Sequence, residues 1–202
     1  MDLIKKFLRL FLVNCLWLIC CIPVITVGGA TCAAYAVALR IADDDEEIQT
    51  ARGIVFRFFK AFKQDLLQGF LLSVFTATCV AIGYFIYTRF FENGFNLFFT
   101  ALFVIYILAA LVLNLYAYPL VARYSNTFLN TLRNSAALYI MNLKVSFITL
   151  IIVVLEIVVL YFTRYIFFAG FLILPSLIFY TVSRTAKDIF VRMENSASSE
   201  DE

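Results

Sequence analysis

From Leu10 to Leu39 the chain carries no charged side chain for thirty residues, and Pro23, Gly28 and Gly29 interrupt the run near its middle. Thirty helical residues would reach about 45 Å, well beyond a hydrocarbon core of about 30 Å. Each half alone covers only about 20 Å. Pro23 removes an amide donor and frees the carbonyl of Ile19, and adjacent glycines tolerate the dihedrals of a turn. Irregular backbone survives in lipid only where protein or water covers it. The run therefore reads as a Pro/Gly-broken membrane segment, either turned back on itself or crossing once with a kink. The Thr26 and Thr31 hydroxyls are placed to satisfy freed backbone groups. Asn14 and Trp17 lie one turn apart ahead of the break and read as scaffold, Asn14 as a candidate to bond the freed carbonyls. Past the break, Gly29 with Ala33, and Ala30 with Ala34 and Ala38, form small-xxx-small patterns that let another helix approach closely.

The remaining sequence calls for the same solvent. The chain is 63% hydrophobic, with 23 Phe, against about 45–50% apolar residues in soluble domains. Four further windows, 66–87, 95–118, 145–163 and 166–182, are long enough to span. The fold class is all-α: a polytopic helical membrane protein with four full spans and the broken segment 10–39, in one membrane domain over residues 1–190. The basic start ahead of Leu10 is read as part of an uncleaved membrane segment, because more spans follow. The polar stretch 194–202 reads as a disordered tail.

Basic residues set the topology, since Lys and Arg accumulate on the cytoplasmic side of short loops. Arg40, Arg52, Arg57, Lys60 and Lys63 fall in 40–65; Arg123, Arg133 and Lys144 in 119–144; Arg184, Lys187 and Arg192 in the tail. The two short turns hold one each, Arg89 and Arg164. Those loops and the C-terminus are therefore expected inside. Turning 10–39 back adds Lys5, Lys6 and Arg9 to the same side, which fits better than a single crossing.

Two cytoplasmic stretches are amphipathic and are expected as in-plane helices. In 52–65, Ile54, Val55, Phe58, Phe59 and Phe62 share one face and Arg52, Arg57, Lys60 and Lys63 the other, with Phe56 the exception; the pattern is drawn to anionic lipid, and the rival reading packs the apolar face on the bundle. In 124–140, Phe128, Leu129, Leu132, Ala136, Tyr139 and Ile140 oppose Asn126, Asn130, Arg133 and Asn134. That amide-rich polar face predicts burial of the apolar face on protein. Each in-plane helix precedes two spans joined by a similar turn, "TRFFENGF" at 88–95 and "TRYIFFAGF" at 163–171, which suggests a parallel duplication.

Chemistry is sparse. There is no His, the commonest general base and metal ligand. The five cysteines lie in apolar segments and read as small hydrophobes. No catalytic, cofactor-binding or metal site is expected, and no nucleic-acid partner. Glu156 is the one acidic residue well inside a span, and such a group marks a candidate site. Thr76, Thr78, Tyr106 and Ser176 match it in depth, and it is expected to be protonated and hydrogen-bonded. Asn114 reads as an interfacial anchor. The acidic run Asp43–Glu47 reads as a solvated loop or a docking patch.

Three stretches carry a likeness: "NCLWLICCIPVITVGGATCAAYAVAL", "FRFFKAFKQDLLQGFLL" and "YPLVARYSNTFLNTLRNSAALYIMNL". They resemble the YesL-like family of bacterial integral membrane proteins, a family of unknown function, over about residues 7 to 190. The resemblance rests most on Asn14, Trp17, Pro23, Thr26 and Gly28, and then on Pro119, Asn134 and Asn142. It implies a multi-pass protein of the bacterial cell membrane. Members are often encoded beside carbohydrate-uptake transporters, which implies an accessory role with a carbohydrate permease as partner. A small oligomeric transporter or channel using Glu156 and the broken segment is the alternative. The expected partners are thus the lipid bilayer, a permease and further copies of the chain.

Overall fold

The computed structural model describes residues 2–91, 97–124, 126–162 and 167–200. Seven α-helices follow in order: α1 (Asp2–Cys20), α2 (Val27–Ala42), α3 (Ala51–Phe91), α4 (Leu97–Arg123), α5 (Phe128–Met141), α6 (Leu143–Phe162) and α7 (Phe167–Glu200). Short 3-10 turns at Val24–Thr26 and Glu46–Ile48 precede α2 and α3. Among the described residues there is no strand.

Among the described residues, three helices are long and apolar enough to cross a membrane: Val24–Ala42, Ala51–Arg89 and Phe98–Arg123. The pair Phe128–Met141 and Leu143–Val159, bent by 104°, makes a fourth if taken together. The spans expected at 145–163 and 166–182 each reach into 163–166, outside the described residues. So do parts of the two similar turns, 92–96 and 163–166.

The break at Pro23 turns the chain back. Lys6, early in α1, lies 2.8 Å from Asp44, just past the end of α2. Trp17, late in α1, donates to Thr31, early in α2, at 3.1 Å. The two helices are therefore an antiparallel hairpin, and their outer ends meet at one end of the molecule. They are longer than the expected halves, because α1 starts at Asp2 and α2 runs to Ala42.

Helix α2 is the centre of the fold. It packs on α1, α3, α4 and α7, and Ala30, Cys32, Ala33, Ala34, Val37, Ala38 and Ile41 are fully enclosed. The core grows outward from it through Val13 of α1, Ile54 and Phe58 of α3, Tyr116 of α4, and Val182, Ala186 and Phe190 of α7. The small residues of α2 let four neighbours approach one axis.

Three local expectations change. The stretch 52–65 is not a separate helix; it continues into the span as α3, 41 residues long, or about 61 Å. The physical reason is that nothing between Ile54 and Gln68 breaks a helix, and that Ile54, Phe58 and Ala61 pack into the core. Helix α5 forms where the 124–140 pattern predicts it. Its packed positions, however, are Thr131, Ser135 and Leu138, while Leu129 and Ile140 stay exposed. Ser135 Oγ donates to the carbonyl of Leu113 in α4 at 2.7 Å, which draws that edge innermost, while Phe128, Leu132 and Tyr139 pack partly buried on the core and Asn130, Arg133 and Asn134 stay exposed. The tail from 194 is helical as far as Glu200, anchored where Glu194 meets Arg123 at 3.0 Å.

Candidate functional site

The hairpin break is built from four side chains. Pro23 takes an extended conformation (φ −77°, ψ 117°), and the carbonyl of Ile19 accepts the Ile22 amide at 3.3 Å in place of a full helical bond. The Thr26 hydroxyl lies 2.5 Å from the Cys20 carbonyl and 2.7 Å from that of Pro23, sharing one proton between two acceptors left by the turn. Thr31 donates to Val27 at 2.8 Å and accepts the Trp17 indole N–H. The Trp17 ring stands edge-on to Phe179 of α7, centroids 5.6 Å apart. Asn14 is fully buried, on the same helix as the core residues Leu10 and Val13.

Immediately after the break, α2 crosses α3 at backbone contact. A Cβ on Gly28 would stand 1.8 Å from the Gly69 carbonyl oxygen, and one on Gly69 2.5 Å from the Gly28 carbonyl carbon. A Cβ on Gly29 would meet the Leu66 side chain at 2.8 Å. Gly28 and Gly29 are thus the seat of a helix crossing and not, as expected, part of the turn: both lie inside α2 with helical backbone, and the turn is made before them, around Pro23. Gly69, their counterpart, was not singled out from sequence; the signal was there in Gly69 and Ser73, a small-xxx-small pair inside an apolar span.

Glu156 lies in α6 and meets α7. Thr181 donates to its Oε1 at 2.9 Å, while Oε2 is enclosed with no hydrogen bond. None of the depth-matched residues is this partner. Thr76 instead donates to Asn114 Oδ1 at 2.5 Å, and Asn114 Nδ2 donates to the Ala110 carbonyl at 2.8 Å. Asn114 therefore ties α4 to α3. Tyr106 donates to the Cys79 carbonyl at 2.6 Å, Thr78 to that of Val74, and Ser176 is buried. Thr181 could have been found from its position one helical turn beyond the searched depth.

The acidic run is an ion-paired knot. Asp43 meets Lys187 at 3.0 Å, Asp44 meets Lys6, and Asp45 and Glu47 both meet Arg40, at 2.7 and 2.9 Å. Lys187 also donates to the Ala42 carbonyl at 2.9 Å, a cation on the C-terminal end of α2 where the helix dipole favours it. Asp44 sits at φ 55°, a left-handed conformation that Asp tolerates better than most residues. Its hydrogen bond to Lys6 holds the carboxyl below its ordinary value and the ammonium above its own. On α7, hydrogen bonds from Tyr124 and Arg123 lower Glu194, and burial, with that bond, pushes Tyr124 up to about 12.

The described residues bring no three His, Cys, Asp or Glu side chains into a metal-binding group. The family model described as "Protein of unknown function, DUF624" matches residues 10–90, the stretch that holds the break at Pro23, the acidic run and the glycine crossing. No curated protein and no solved structure matches the chain.

Proposed function

We propose that this chain, matched over residues 10–90 by a family of unknown function, is a YesL-like protein of the bacterial cell membrane. In this reading it is a non-catalytic accessory or scaffold component beside a carbohydrate permease, with its charged end and C-terminus in the cytoplasm. One observation carries the reading. Ile151, Ile152, Val154, Leu155, Ile157 and Val158 of α6 are all exposed, and together they cover more than half of the helix's circumference, leaving the Thr149, Val153 and Glu156 face toward α7. An exposed apolar wall that wide belongs in lipid or against another membrane subunit. Helix α3 adds a second lipid-facing feature: Phe56 is exposed beside Arg52, Lys60 and Lys63, an aromatic among cations that suits an anionic headgroup layer. The association with sugar import rests on the family resemblance.

Crosslinking through a photoreactive residue at position 155 in the native membrane, followed by mass spectrometry, tests the scaffold reading. A permease subunit should be recovered. A solitary chain that carries solute into vesicles by itself would sink it.

A second reading, a small oligomeric transporter or channel, is favoured by the one carboxylate oxygen of Glu156 that takes no hydrogen bond. An intramembrane acid with spare bonding capacity suits proton or solute binding. In vesicles holding the purified chain alone, that reading requires flux that Glu156→Gln abolishes.

A further inference from the structure

Where α2, α3 and α4 meet at the charged end, a cavity of about 280 Å³ is lined by Ala36, Leu39, Arg40, Asp43, Asp45, Arg57, Ala122 and Arg123. Three guanidinium groups from three helices face it. The two carboxylates are already engaged, Asp43 by Lys187 and Asp45 by Arg40. Arg40 spends a single nitrogen, Nη1, on both Asp45 and Glu47. Arg123 gives Nε and Nη2 to Glu194. Arg57 makes no ion pair or hydrogen bond among the described residues; its Nε is enclosed away from the cavity, and Glu47, Asp45 and Asp65 act on its charge without bonding to it. Three guanidinium groups line the cavity, and the fork nitrogens of Arg57, which bond to nothing else, leave donors there for an anion. The fork of Arg fits the paired oxygens of a phosphate group better than any other common anion except a carboxylate.

We infer that this cavity is a binding site for a phosphate group, with Arg57 as the principal contact and Arg40 and Arg123 supplying further donors. The phosphate comes either from an anionic lipid headgroup or from a soluble phosphate compound. The volume suits a headgroup or a small phosphate ester, being near the lower end of small-molecule pockets, about 300 Å³. The site does not depend on the scaffold reading, since a transporter or an accessory subunit could carry it.

The full chain in nanodiscs decides the matter. In one arm the lipid is phosphatidylcholine and inorganic phosphate is titrated by calorimetry at matched ionic strength. In the other, phosphate is absent and phosphatidylglycerol is mixed in, with retained lipid counted by native mass spectrometry. Saturable binding in either arm, weakened at least tenfold by Arg57→Gln and less than twofold by Arg52→Gln, supports the site and identifies the source. Arg57→Lys should fall between, keeping the charge but losing the fork. Equal binding by the wild type and Arg57→Gln overturns it. Should Arg57→Gln fail to fold, the wild type still decides: no saturable binding of either probe overturns the proposal, and binding that Arg57→Lys weakens supports it.

Discussion

Helices α2 and α6 are both apolar and of similar length, 16 and 20 residues, yet they occupy opposite environments. Nearly all of α2 is enclosed, while most of α6 from Ile151 to Val159 is exposed. Hydrophobicity orders them the wrong way, since the exposed helix α6 is the more apolar of the two. Side-chain size separates them: α2 is built of Gly, Ala and Cys with a few larger residues, α6 of Ile, Val and Leu. In lipid the solvent is as apolar as leucine, so burying leucine gains little, and close backbone packing decides which helix goes inside.

Inserting leucine into both helices is the sharpest way to break that comparison. Gly28→Leu drives a side chain into the Gly69 carbonyl and should cost about 3 kcal/mol or more, at the upper end of overpacking effects. Its reversible unfolding in mixed micelles measures this, and a cost below about 1 kcal/mol would show that α2 and α3 do not cross at backbone contact. Thr31→Val comes next. It leaves the Trp17 indole N–H without its acceptor and should cost about 1 kcal/mol; an unchanged indole proton shift by NMR would refute that bond. Glu156→Gln keeps an acceptor for Thr181, so stability should change by less than about 1 kcal/mol. A larger loss would mean that α6 depends on its carboxylate as α2 depends on its glycines. Val158→Leu, on the exposed wall of α6, should stay within about 0.5 kcal/mol.

The smallest effect concerns the ends. Asp44 is held below its ordinary value of 3.8 and Lys6 above its own 10.5 by their mutual bond. The carboxylate's share is present above pH 3.8 and is lost as pH falls through its lowered value. The ammonium's share is present below 10.5 and is lost as pH rises through its raised one. Amide exchange at the C-terminal end of α2 should therefore quicken slightly at either extreme and stay flat between. Exchange in α6 should not follow. A maximum of protection confined to one side of neutrality would contradict the pairing.

Much of the fold is legible in the chain itself. Pro23 stops α1, Thr26 and Thr31 collect the groups it frees, and the small residues after it mark a packing face; each is a local rule acting within one or two turns. The boundary placed at residue 65 shows the limit of reading faces alone. The basic amphipathic pattern of 52–65 suggested a helix of its own, yet without a breaker before Gly69 the backbone had no reason to stop. The innermost edge of α5 has a similar cause: Ser135 finds a carbonyl of α4, and that bond is invisible to periodicity.

The amino-acid order by itself determined the solvent, the helical class, the turn at Pro23 and the charged end, because composition and spacing act along the chain. Only the tertiary structure decided that Gly69 meets Gly28, that Thr181 meets Glu156, that the acidic run is tied to Lys6, Arg40 and Lys187, and that three arginines share one cavity. Those partners stand between 5 and 144 residues apart, and most of them are brought together by the packing of helices around α2, which no local pattern encodes.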